Sequence, residues 1–170
     1  AVRTFRHNAL DIYMDCPSRE RAGWLFDSYY TAKAEYAFTG KTLTEDVFLK
    51  NYILGGAIPQ GGGMLNMCYP SDVFTKTFIP QWAMWYIIEA DEYVNVRNGK
   101  IPSDNFKPTV CNLINWFSNH ENEFEVLERL DGWNFVEWSK VNDRVWDISW
   151  ATNMLYAKAL DSAAKLTKDN

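Results

Sequence analysis

Apolar residues recur every three or four positions through most of this chain, the pattern of helices that bury one face. Pro17 suits a first helical turn, and the run RAGWLFDSYYTAKAEYAFTG that follows sets Trp24, Asp27 or Ser28, and Thr31 on one side before Gly40, a C-cap residue. LTEDVFLKNYIL, capped by Thr42 or Thr44, repeats the spacing at Val47, Phe48, Asn51 and Tyr52 until Gly55 and Gly56 stop it. A third helix opens at Pro80 and carries Trp82, Trp85, Tyr86, Glu89 and Tyr93 on one face. NFKPTVCNLINWFSNHEN aligns Val110, Leu113, Ile114 and Phe117, and VWDISWATNMLYAKALDSAAKLTKD aligns Leu155, Ala159, Ser162 and Leu166. Between them, GGAIPQGGGMLNMCYPSD reads as a long loop and EFEVLERLDGWNFVEWS as strand or loop.

Five helices joined alternately by short turns and long loops predict stacked helical hairpins, with short turns at one end and long loops at the other. Alternation is nowhere sustained enough for a sheet, so the predicted class is all-α. Function is expected on the rim that carries the long loops.

Composition narrows the classes. With 170 residues, 47% hydrophobic and 23% charged, the chain suits one globular unit with a sizeable core. A net charge of −5 disfavours a grip on phosphate backbones, so neither nucleic acid nor an anionic membrane is an expected partner. No segment approaches the ~18 apolar residues of a membrane span, and the opening AVRTFRHNALDIY lacks a signal-peptide layout. Cys16, Cys68 and Cys111 show no C-x-x-C spacing and no neighbouring histidine; they are read as buried thiols. His7 and His120 stand apart from each other and from any acid cluster, so no metal site, catalytic triad or cofactor is expected. Gly61, Gly62 and Gly63 lack the strand-before, helix-after setting of a phosphate loop. The aromatic share, 16% with eight Trp, suits either a large aromatic core or the flat faces of sugar rings.

The densest chemistry lies between Met14 and Tyr30. On a helix starting near Ser18, Glu20, Trp24 and Asp27 fall at i, i+4 and i+7, which puts two acids and an aromatic platform on one face over roughly 10 Å, with Asp15 just ahead. Such a grouping suits glycoside hydrolysis, in which one carboxylic acid, sheltered beside apolar neighbours, protonates the leaving oxygen while others bind hydroxyls. It equally suits architecture: Asp15 as an N-cap, Glu20 as a first-turn dipole partner and Asp27 paired with Arg21 or Lys33.

DCPSRERAGW, with Asp27 following, resembles the signature segment of the bacterial α-L-rhamnosidases, glycoside hydrolase family 78. The similarity continues through GMLNMCYPSD, FIPQWAMWYIIEADEY, WNFVEWS and NMLYAKAL, nearly the whole chain. Many members have Arg-Asp-Glu-Arg where this chain has the shorter Arg19-Glu20-Arg21. The resemblance implies an (α/α)6 barrel of six hairpins, a rhamnose pocket at one end and an inverting mechanism. It gives Glu20 the general-acid role, Asp15 and Asp27 the binding of rhamnose hydroxyls, and Trp24 a wall of the pocket.

Asp72 and Trp82 flank the start of the helix below the long loop, where the family's pocket lies; Asp72 is read as a sugar ligand or, equally, as a helix-terminal dipole partner. Glu137, next to Trp138 in FVEWS, is the one substitute within the chain for the family's general base, a glutamate near the far end of the barrel. Its flanking tryptophans make it, with Trp138, a pocket-wall position instead. Residues 1–170 are therefore expected to be a single segment of the catalytic barrel, truncated at both ends, with the base elsewhere. The expected partner is a rhamnose-containing glycan or glycoside. As a fragment the chain is expected to be inactive and to form homo-oligomers through rows such as Trp82, Trp85, Tyr86 and Val110, Ile114, Phe117. The source is expected to be bacterial, with cytoplasm and periplasm both open. A non-catalytic carbohydrate-binding or interaction module, or another six-hairpin sugar hydrolase such as a glucuronyl or maltosyl hydrolase, are the alternatives.

Overall fold

The computed structural model describes residues 1–58, 62–70, 77–101, 103–140 and 147–168. Its helices are α1 (Val2–Asn8), α2 (Leu25–Thr39), α3 (Leu43–Gly55), α4 (Pro80–Asn95), α5 (Phe106–Ser118) and α6 (Trp150–Thr167). Among the described residues there are isolated β-bridges and no strand, so the class is all-α. The helix α1 has no counterpart among the predicted elements: it is short and buries no residue, so it leaves no apolar stripe to read.

The larger difference is where α2 begins. It starts at Leu25, not after Pro17, because the backbone ahead of it is paired elsewhere. Gly23 N–H donates to the Pro70 carbonyl at 3.3 Å, Tyr69 N–H to Gly23 at 2.9 Å and Leu25 N–H to Met67 at 2.9 Å, so this strip cannot also make helical bonds. A Cβ on Gly23 would sit 2.5 Å from the Tyr69 carbonyl oxygen, which is why glycine stands there.

Gly40, left-handed at φ 66, ends α2 and starts the short turn into α3. Glu35 of α2 then caps α3 across that turn: its carboxylate accepts from the backbone N–H of Thr44 at 3.0 Å and Glu45 at 3.2 Å, and from the Tyr13 hydroxyl. The neighbours α4 and α6 run in the same direction, since Gln81 bonds Thr152 at 3.1 Å near one end and Ser162 bonds Asp91 at 2.9 Å near the other. The pair α2 and α4 is parallel too: Phe26 meets Trp82, Tyr29 meets Trp85, and Lys33 pairs with Glu92.

Thus α4 lies between α2 and α6, which explains why twelve of its sixteen residues are buried and not only the predicted face. Trp82, Tyr86, Val110 and Phe117, expected to lie open on a fragment, are turned into this core. Trp138, Trp150, Met154 and Phe124 are among the large apolar side chains left exposed instead. The cysteines also differ from expectation: Cys16 and Cys68, in loops, are half-buried, and Cys111, on the outer side of α5, is exposed.

A charged cluster joins α3 to α4. Arg97 donates twice to Glu45, at 2.6 and 2.9 Å, and once to Glu92 at 3.1 Å. Burial pushes Glu45 up to about 7 even with Arg97 clamped on it. Burial and then the nearness of Glu45 also push Glu89, which has no cation on its carboxyl, well above the usual carboxylate range. Hydrogen counting agrees. The Ser28 hydroxyl lies 2.6 Å from both the Leu25 carbonyl and Glu89, yet it has a single hydrogen. Ser28 can therefore give its hydrogen to only one of them, and Glu89 Oε1 is buried with no partner among the described residues, so the donors around Glu89 are too few to hold it ionised.

Candidate active site

Residues 15–22 close a loop of their own. Asp15 N–H donates to the Ala22 carbonyl at 3.1 Å, and Ala22 N–H donates back to Asp15 Oδ1 at 3.1 Å. Inside the loop, Glu20 N–H points at the Cys16 sulfur at 3.3 Å, and Arg21 takes a left-handed φ of 53. Asp15 is therefore a loop clasp and not the N-cap of a helix. The predicted helical face of Glu20, Trp24 and Asp27 does not exist, since only Asp27 is helical.

The loop nevertheless brings the same groups together. Glu20 Oε2 accepts from the Trp24 indole N–H at 2.6 Å, and Oε1 accepts from Arg19 at 2.5 Å. Glu20 is less sheltered than expected, its side chain one-third exposed (34%). Asp27, in the first turn of α2, makes neither expected ion pair: Lys33 is engaged by Tyr29 and Glu92 instead. Burial, then the charges of Asp15 and Glu20, push the Asp27 carboxyl up to about 6.

These side chains line one cavity of about 300 Å³ at the N-terminal ends of α2 and α4. Asp15, Arg19, Glu20 and Asp27 form its polar side; Trp24, Phe26, Trp82, Trp133, Phe135, Val136 and Trp138, with Glu137, form the rest. Trp82 packs edge-on against Trp24 at 5.3 Å and Phe135 at 5.9 Å, so it is a rigid back wall, whereas Trp138 stands 83% exposed at the mouth. The far wall is tied down by Gln81, whose amide accepts from Phe135 N–H at 3.1 Å and donates to Asn134 at 3.0 Å. Of the predicted residues, Asp15, Glu20, Trp24, Asp27, Trp82 and Trp138 meet here, and Asp72 lies outside the described residues. Arg19, Phe26, Trp133 and Phe135 were missed; Arg19 sits inside the signature, which is the signal that could have found it. No three His, Cys, Asp or Glu side chains among the described residues are placed to hold a metal ion.

Comparison with known proteins now bears on this pocket. Residues 1–168 match the bacterial α-L-rhamnosidase six-hairpin glycosidase domain. The chain belongs to this family. No curated protein matches the sequence. The crystal structure of a GH78 family rhamnosidase of Bacillus sp. GL1 superposes with a TM-score of 0.83 at 23% identity, over 96% of this chain and 17% of that one. The likeness extends the shared fold to a protein of which this rhamnosidase-family chain spans about a sixth of the length. The stacked hairpins are thus part of a six-hairpin glycosidase fold, and the pocket lies at the long-loop rim where function was expected.

Proposed function

We propose that this chain supplies the acid-bearing side of an α-L-rhamnosidase active site, which releases terminal α-L-rhamnose from glycosides or glycans with inversion. The observation that carries this reading is the convergence of Asp15, Glu20 and Asp27 on one aromatic-walled cavity in a rhamnosidase-family chain. Glu20 protonates the departing oxygen. Asp15 and Asp27 accept hydrogen bonds from sugar hydroxyls, and Trp24, Trp82 and Trp138 face the ring's apolar sides. Residues 1–170 are then one segment of a larger (α/α)6 catalytic barrel. The second carboxylate, which must activate water at roughly 6.5–9.5 Å from the acid, comes from outside it.

One observation favours a second assignment of the acid. Burial and the charges of Asp15 and Glu20 push Asp27 up to about 6, where a carboxyl can hold a proton close to neutrality. Glu20→Gln and Asp27→Asn in the full-length protein separate the two. The true acid's variant is expected to lose about 10²–10⁴-fold in turnover on an alkyl rhamnoside and far less on a nitrophenyl rhamnoside, whose departure needs little protonation. Glu20→Gln is expected to behave this way, and Asp27→Asn to raise KM on both substrates alike. The reverse pattern assigns the acid to Asp27.

A further inference from the structure

Trp24 is a wall of the pocket, yet its one polar atom is aimed at the acid. The indole nitrogen lies 2.6 Å from Glu20 Oε2. An indole N–H can only donate, so Oε2 must offer a lone pair; the carbonyl oxygen of a protonated carboxyl is the better acceptor, so this contact favours the proton on Oε1. The ring holding this N–H is itself immobilised. Trp24 meets Trp82 edge-on at an interplanar angle of 84°, and Trp82, only 8% exposed, is held by Phe26 and Phe135.

The other oxygen has a different kind of neighbour. Arg19 reaches Oε1 from a side chain that is 83% exposed. A guanidinium also only donates, so Arg19 competes with a proton for Oε1, whereas Trp24 does not. An exposed ion pair is weakly held, so Oε1 is the oxygen that exchanges partners.

We propose that Trp24 is a positioning residue for proton transfer: its N–H pins Oε2, so that Oε1 alone carries and delivers the proton, and Arg19 takes Oε1 back afterwards. The proposal rests on Glu20 being the acid. In the step, the Oε1–H bond breaks and the glycosidic oxygen gains that proton, keeping the electron pair of its breaking bond to the anomeric carbon. That carbon takes a lone pair from water, whose proton passes to the second carboxylate. Glu20 is left as an anion with a donor on each oxygen.

Two substitutions in the full-length protein test it. Trp24→Phe keeps an aromatic ring against Trp82 and removes the N–H. Incorporating 3-benzothienylalanine at position 24 keeps the bicyclic shape and removes the same N–H, and it replaces the Phe variant if circular dichroism shows that one misfolded. With either, turnover on an alkyl rhamnoside is expected to fall about tenfold or more, as for loss of a hydrogen bond to a charged group, with less than about threefold loss on a nitrophenyl rhamnoside. With the benzothienyl ring, which keeps the wall that Trp24 offers the sugar, KM is expected to change by less than about twofold, and with either variant the alkaline limb of the pH–rate profile is expected to move to higher pH, because a lost donor favours the protonated acid. A wall contact alone would leave both turnover and the limb unchanged with the benzothienyl ring. That result, or equal losses on both substrates while Glu20→Gln keeps its selective loss, overturns the role of Trp24 and leaves the acid standing. A Glu20→Gln variant without selective loss overturns the acid assignment and this proposal with it.

Discussion

Single side chains in this molecule do work that their type does not announce. Glu89 is an acid that stays neutral, and its cost can be read against pH. Its folded-state affinity for a proton lies above that of the unfolded chain, so the native state retains a proton that the unfolded state releases. Its contribution is complete below the unfolded value of about 4.3 and declines as pH rises through the interval above it, by at most about 1.4 kcal/mol per pH unit. Glu89→Gln, whose amide can still donate to Ser28, removes that titration. Urea unfolding is expected to show the variant close to wild type near pH 4 and more stable than wild type at pH 8; parallel curves would mean Glu89 is ionised. The sequence sets Glu89, unlike Glu92, on the aromatic face of the helix, but not its proton, which depends on its burial and on Ser28 and Glu45, brought to it from other helices. That Asp15 and Glu20 meet at one cavity was legible for the opposite reason: their placement depends on immediate neighbours within the signature.

At the scale of elements, the five predicted helices are present and their boundaries follow Pro80, Gly40 and Gly55 as local chemistry dictates. The start of α2 was not legible. Helical spacing through 18–24 is real in the sequence, but partners from 67–70, far along the chain, claim the backbone first. Propensity is a weak prior wherever a distant strip of chain offers the same hydrogen bonds. Gly23 is the residue through which that competition is decided. Gly23→Ala would drive a methyl group into the Tyr69 carbonyl, and since both sides are backbone neither yields easily. A loss of about 1–3 kcal/mol in denaturant unfolding is expected, with rhamnose affinity lost at the same time because Glu20 and Trp24 flank the displaced strip. Wild-type stability would show that the loop closes without this contact.

Across the whole molecule, the hairpin order was legible but the identity of the open surface was not. Most of the rows expected to be exposed are internal: Trp82 and Tyr86 on α4, which lies between α2 and α6, and Val110 and Phe117 on α5, which packs against α6. Among the described residues, Trp150 (71%) and Met154 (75%), one turn apart on α6, form an uncovered apolar pair on one helix face. The 170-residue chain expressed alone is expected to self-associate through this face, and Trp150→Ser with Met154→Ser to shift light scattering toward the monomer mass. A monomeric wild-type chain would contradict it.

The central place of α4 has a consequence in time. Its amides are screened by α2 on one side and α6 on the other, so they can meet solvent deuterium only when those neighbours part. Exchange measured by mass spectrometry should therefore be slowest along Ala83–Ala90 and fastest in α1, which buries nothing. Trp82 and Gln81 stand at the head of that slow helix, so the back wall of the pocket keeps its shape through the small openings that release the loops in front of it. A site built this way can lose and regain its rim many times without losing the surface against which the rim re-forms.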